Sequence, residues 1–218
     1  MRIIAGQRRG HKIDGPRASA STRPTSDLVR ESLFNILGDL VVERIVFDVF
    51  AGTGALGLEA LSRGAERAVF VEKDRECVSL IIRNVATLRY EDRAIVRLAD
   101  AYRWLRAFQP ADERPVVVLI DPPYQEYERR GKVLNQMIVQ LVEKMPGGSV
   151  VVLEAGRVLD ERILADFQNW DIRRYSSTQI AIRVIGGAPV DADSGANEPT
   201  GLSPTDRDGG ESEDELDE

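Results

Sequence analysis

The stretch RIVFDVFAGTGALGLEALSR, residues 44–63, decides the fold. RIVFDVF is a β-branched and aromatic run that reads as a buried strand. GALGLEALSR reads as a helix, which Gly64 stops. The same alternation continues downstream. AVFVEK, AIVRLAD, PVVVLID and SVVVLEA read as strands, and DRECVSLIIRNVATLR and AYRWLRAFQ as the helices between the first three. A longer helix is expected over residues 127–144, ended by Pro146-Gly147-Gly148, and another over VLDERILADF, residues 158–167. WDIRRY and TQIAIRVI follow with no helix between them, so they should form an antiparallel pair at one edge. These segments predict an α/β fold: a doubly wound, seven-stranded, mainly parallel, Rossmann-like sheet covered on both faces.

The flanks have a different character. Residues 2–14 read as two short strands around the turn-prone Arg8-Arg9-Gly10, a basic hairpin extension within residues 1–24. GPRASASTRP, residues 15–24, reads as loop. A helix is expected after Thr25 or Ser26, either of which can cap it, with Val29, Leu33, Ile36 and Leu40 on one apolar face. The main domain is expected over residues 25–185. After Ile185 the chain is rich in Gly, Pro, Ser and acids, so residues 186–218 are expected to be a disordered acidic tail.

The formal net charge of −7 hides a division. Residues 186–218 hold eleven acids against Arg207, a net of −10, so residues 1–185 carry +3. Residues 1–30 alone carry seven bases against Asp14 and Asp27, a net of +5. A basic front end suits a polyanionic partner and suits a merely solvated surface equally. The single cysteine, Cys77, rules out an internal disulfide and fits a reducing, cytoplasmic compartment. The single histidine, His11, argues against a Cys/His metal site and a Ser-His-Asp arrangement. No apolar run approaches the roughly 20 residues that span a bilayer.

Gly52, Gly54 and Gly57 match G-x-G-x-x-G between a strand and a helix, and Glu72 ends the next strand 20 residues after Gly52. Such a loop lets backbone approach a ligand, and the acid can bond ribose hydroxyls. NAD and S-adenosyl-L-methionine both offer that ribose. Asp48, within the first strand, favours the second: a carboxylate there repels a pyrophosphate but can pair with an amine-bearing, cationic ligand. Its plain alternative is a cap on a loop N–H. Asp100 ends the third strand, where it can accept the exocyclic amine of an adenine or simply cap the following helix. Phe50, Ala51 and Thr53 in the loop, with Lys73 and Ala101 beside the two strand-ending acids, complete the candidate cofactor site. Trp104 and Phe108 are four apart on a helix and read as core.

Asp121-Pro122-Pro123-Tyr124 (DPPY) leaves the fourth strand. The prolines lack N–H donors, which leaves the Asp121 carboxylate and the Pro122 carbonyl as acceptors for an –NH2 group, with Tyr124 placed to stack on a planar base. Methylation of an exocyclic base amine needs such a clamp, because both N–H bonds are held while the lone pair turns to the methyl donor. The plain alternative is a rigid proline turn.

The glycine loop with DPPY resembles the amino-methyltransferases that carry a [DN]PP[YFW] motif. RIIAGQRRGHKI, RPTSDLVRESLFNIL and DVFAGTGALGLEALSRGA narrow the resemblance to the bacterial 16S rRNA guanine-N2 methyltransferases of the RsmD type, over about Arg2 to Ile185. The resemblance implies a class I methyltransferase fold, S-adenosyl-L-methionine as cofactor, and 16S rRNA or an assembling small ribosomal subunit as partner. It implies that Asp121, Pro122 and Tyr124 clamp the amine, that Asp48, Gly52, Gly54, Glu72 and Asp100 line the cofactor site, and that Arg2, Arg8, Arg9, Lys12, Arg23 and Arg30 grip RNA phosphates. A monomer is expected. Three other readings stay open on the sequence alone: a methyltransferase on another amine such as adenine N6, an NAD-dependent oxidoreductase, and a catalytically silent RNA-binding protein.

Overall fold

The computed structural model describes residues 1–15, 26–159 and 163–187. The expected helix α1 forms over Asp27–Leu37, and Ser26 is its N-cap: the side chain accepts from the Val29 N–H at 3.2 Å. Strands and helices then alternate: β1 (Ile45–Val49), α2 (Ala55–Ser62), β2 (Arg67–Glu72), α3 (Arg75–Leu88), β3 (Ala94–Leu98), α4 (Ala101–Ala107), β4 (Val117–Ile120), α5 (Tyr124–Lys144), β5 (Val150–Ala155), β6 (Asp171–Tyr175) and β7 (Thr178–Val184). The seven strands form one sheet in the order β3-β2-β1-β4-β5-β7-β6. The first five are parallel, and β7 runs antiparallel between β5 and β6. The strand order reverses between β1 and β4, so a ligand crevice opens at the carboxyl ends of those two strands.

Alternation along each strand sorts the core into two faces. Val49, Val118, Ile120, Leu153 and Ala155 pack with α4 and α5. Val46, Val117, Leu119, Val150 and Val152 pack with α1, and Ala68 and Phe70 with α2 and α3. Trp104 and Phe108 pack with Phe47 at ring separations of 5.4 and 5.1 Å, as core.

Three expectations change. The first fifteen residues contain no full strand. An isolated antiparallel bridge joins Arg2 to Lys12, and a short 3-10 turn covers Gly6–Arg8. The segment is still a closed bracket, because Ile3 and Ile13 are buried against α2 and α3. It lies so close to α2 that a side chain on Gly6 would collide with the Ser62 carbonyl. The helix expected over residues 158–167 is also absent among the described residues, where only a 3-10 turn, Phe167–Asn169, appears. Side-chain bonds, two of them long-range, hold the described residues of this segment. The Leu159 N–H donates to the Gln179 side chain, Asn135 donates to the Ile163 carbonyl, and Trp170 donates to the Ala165 carbonyl. Leu159, Ile163 and Leu164 still fill the core, so their burial is kept. Finally, α5 begins at Tyr124 rather than residue 127 and kinks at Arg130. The acidic segment, apart from Gly186 and Gly187, lies outside the described residues, as does Arg23.

Candidate active site

The glycine loop and DPPY meet across the β1–β4 crevice. The Asp121 N–H donates to the Val49 carbonyl at 3.3 Å, so DPPY leaves the sheet one step beyond the last β1–β4 pair. Pro122 is buried, Asp121 and Pro123 are half-buried, and Tyr124 is 53 % exposed at the start of α5. The two acceptors and the aromatic expected from the sequence are therefore at the crevice, on a turn stiffened by both prolines.

The loop itself is built from positive-φ residues. Phe50, Gly52 and Gly54 all lie in that region, and Phe50 is the one that carries a side chain. Its ring packs edge-on against Tyr102 at 5.7 Å. Gly57 is required by packing, because a Cβ there would run into the Phe70 ring. Glu72 closes the loop. Its Oε1 accepts from the N–H groups of Lys73 and Asp74, and its Oε2 accepts from Gly52 at 2.9 Å. Oε2 carries one bond, so it retains a lone pair for a ribose hydroxyl. The half-exposed strand ends at Glu72 and Asp100, with the open backbone at Gly52, fit an adenosine-bearing cofactor.

Asp48 and Asp100 each make the backbone-capping contact that is one of their two expected roles. Asp48 lies beneath the loop, 1 % exposed, and its Oδ2 accepts from the Gly57 N–H at 2.9 Å. Burial pushes its pKa up to about 8; the charges of Asp121 and Glu72 add to this and the Gly57 bond opposes it. Asp100 caps α4 through Oδ1, which accepts from the Arg103 N–H at 3.0 Å. Ala101 is buried in the first turn of that helix. Lys73 reaches across the crevice and pairs with Glu126 of α5 at 3.5 Å. Tyr102 donates to the other oxygen of Glu126 at 2.9 Å, which ties β2, α4 and α5 together beside the loop.

The expected RNA-gripping cations divide. Arg2, Arg9 and Lys12 are exposed on the bracket. Arg8 is half-buried, donates to the Leu88 carbonyl at 2.9 Å and lies over the Tyr90 ring, so it fastens the bracket to α3. Arg30 is a correction. It is fully buried, donates to the Arg2 carbonyl and to Asp27, and faces Glu59 at 3.9 Å. It cannot present its guanidinium to a phosphate, and it serves as the internal post of the bracket.

Several residues of this arrangement carry no local sequence signal. Glu59 is buried and accepts from the Ile4 and Ala5 N–H groups, at 2.8 and 3.0 Å. Asn84, also buried, accepts from the Asp14 N–H and donates to the carbonyls of both Asp14 and Thr53. It thus joins the basic bracket to the glycine loop. Two cavities stand out elsewhere. One of about 270 Å³ lies at the amino ends of β1 and β4 around Arg44 and Pro115, and one of about 200 Å³ lies between Arg2 and Glu31. Neither is at the crevice, so the chemistry of the clamp and loop, not cavity size, marks the site.

Comparison with known proteins agrees with this geometry. The family described as Conserved hypothetical protein 95 matches residues 1–184. Ribosomal RNA small subunit methyltransferase D of Escherichia coli K12 is 42 % identical over 143 residues, 66 % of this chain and 67 % of that protein. The protein of the same name from Haemophilus influenzae is 38 % identical over 184 residues, covering 83 % and 90 %. Among solved structures, yhhF from Escherichia coli superimposes with a TM-score of 0.64 at 33 % identity, covering 84 % of this chain and 96 % of that one. A Thermus thermophilus protein gives 0.68 at 27 % identity, covering 85 % and 99 %. The chain belongs to the Conserved hypothetical protein 95 family and is a class I methyltransferase of the RsmD type.

Proposed function

We propose that this methyltransferase modifies the exocyclic N2 amine of one guanine in 16S rRNA, with S-adenosyl-L-methionine as methyl donor. The observation that carries the reading is DPPY at the carboxyl end of β4, directly across the switch point from the glycine loop. Two curated relatives named for small-subunit rRNA support the substrate.

When bound, S-adenosyl-L-methionine supplies a sulfonium methyl group. Glu72 Oε2, which also accepts from the Gly52 N–H, would hold its ribose, and Asp100, which also caps α4, would accept from its adenine amine. Asp121 and the Pro122 carbonyl would accept the two N–H bonds of the base amine, which would leave its lone pair turned toward the donor's methyl group. Tyr124 stacks on the base. Alignment at about 3–3.5 Å supplies most of the rate. The Asp121 carboxylate stabilises the charge that develops on nitrogen and is the nearest acceptor for the proton the amine sheds. Arg2, Arg9 and Lys12 hold the RNA backbone while the base swings into the crevice. The protein acts as a monomer in the cytoplasm, on rRNA or on an assembling subunit. Among the described residues no helix is long and apolar enough to cross a membrane.

Asp121→Ala tests the clamp. Cofactor affinity should stay within about threefold of wild type, while methyl transfer falls by about a hundredfold or more, as misplacement of a reacting group by about 1 Å does. Wild-type turnover in that variant would remove the mechanism.

A further inference from the structure

The clamp accounts for two of the three donor hydrogens on the Watson–Crick edge of guanine. The two amine hydrogens go to Asp121 and the Pro122 carbonyl, and the N1–H needs a third acceptor. β5 runs parallel to β4, with Leu153 beside Ile120 as the last pair. One step further, Glu154 stands beside Asp121 at the carboxyl end of the sheet. Both carboxylates lie on the same face by alternation. Asp121 follows Val117 and Leu119, Glu154 follows Val150 and Val152, and all four of those residues pack on the α1 side. Glu154 also pairs across β7 with Ile180, which belongs to that same face. The bracket that carries the exposed cations is fastened to this side of the sheet through Arg30 of α1 and Glu59 of α2.

Tyr127 fixes the position of the β5 end. It is buried in the first turns of α5 and donates to the Glu154 carbonyl at 2.6 Å. Burial chiefly, then the charges of Asp121 and Glu154, raise its pKa well above the usual tyrosine value, so both carboxylates lie within electrostatic reach of one hydroxyl. Glu154 itself is 8 % exposed, a setting in which an acceptor discriminates strongly between a base that offers a hydrogen and one that does not. A carboxylate has lone pairs for more than one donor, so reading a base does not require Glu154 to release other contacts.

We infer that Glu154 is a specificity-determining residue that accepts the N1–H of the target guanine beside the Asp121 clamp. The inference rests on the guanine-N2 reading of the site. It explains how one clamp separates guanine from adenine. Adenine held by its N6 amine turns an N1 lone pair, not an N1–H, toward the neighbouring position, where a carboxylate repels it.

The test replaces the methylated guanine of the rRNA by 2-aminopurine, which keeps the 2-amine and lacks the N1–H. The readout is the ratio of kcat/KM on the two RNAs, which does not depend on the fraction of folded protein. Wild type should prefer guanine by about 10- to 100-fold, the effect of one buried hydrogen bond to a charged acceptor. In Glu154→Ala that ratio should fall about tenfold. Glu154→Gln keeps a weaker acceptor and should lower it by about threefold, which supplies the readout if the alanine variant does not fold. A ratio unchanged from wild type in both variants overturns the inference while leaving the guanine-N2 reading in place. Failure of wild type to form N2-methylguanosine at all would overturn that reading and this inference with it.

Discussion

Replacing Glu59 should damage the protein more than any exposed acid would. The carboxylate is fully buried and holds three donors: the Ile4 and Ala5 N–H groups and Arg63 Nε at 2.8 Å. Its charge also faces Arg30, which is likewise fully buried. Two nitrogens of Arg30, Nε and Nη1, have no hydrogen-bond partner among the described residues, so its charge depends on Glu59 and on the half-exposed Asp27. Glu59→Gln keeps the shape and removes the charge. Its amide also turns two donors toward backbone N–H groups or guanidinium. Breaking a buried pair from one side costs about 3–5 kcal/mol. Urea denaturation should therefore show a loss in that range, with the slope unchanged. Because the bracket hangs on this residue, RNA affinity should fall more than cofactor affinity. A loss under about 1 kcal/mol, with RNA binding intact, would refute the idea that a buried charge network docks the bracket.

Asn84→Ala removes the link between Asp14 and Thr53 and leaves buried backbone groups short of partners. It should cost about 1–3 kcal/mol and weaken cofactor and RNA binding together, measured by calorimetry and filter binding; a change in only one would separate the two sites. Asp48 sets a pH dependence. Its folded pKa of about 8 lies above the unfolded value near 3.8, so the folded chain keeps a proton that the unfolded chain has lost between those values. Its relative stabilisation is complete below about pH 3.8 and is lost as pH rises through 8. Asp48→Asn should therefore gain stability over wild type with rising pH, by at most ~1.4 kcal/mol per unit, levelling above about pH 8. A gap that stays constant between pH 5 and 9 in denaturation experiments would contradict this.

Local patterns carried most of the fold. Apolar, β-branched runs mark most of the strands, Ser26 marks the start of α1, and the order of strands and helices predicts a parallel sheet with an antiparallel edge. Glu72 and DPPY were legible as candidate site residues because both sit at strand ends, where the fold places ligands. What stayed hidden depends on contacts far apart in sequence. Arg30 looks like another cation of a basic segment, and only the position of Glu59, 29 residues on, shows it to be interior. Arg8 meets the end of α3 eighty residues away. Residues 158–167 have helical spacing, yet the Leu159 N–H and the Ile163 carbonyl bond side chains of β7 and α5, partners that no local pattern announces. Glu154 reads as one acid in an apolar strand until the β4–β5 register sets it beside Asp121.

The central claim is the base and the atom that receive the methyl group. The direct measurement incubates the protein with labelled S-adenosyl-L-methionine and 16S rRNA, or small subunits, from cells lacking this enzyme, then digests the RNA and identifies the labelled nucleoside by mass spectrometry. The account predicts N2-methylguanosine at a single position. Label in N6-methyladenosine, or in no nucleoside of the small-subunit RNA, would contradict it.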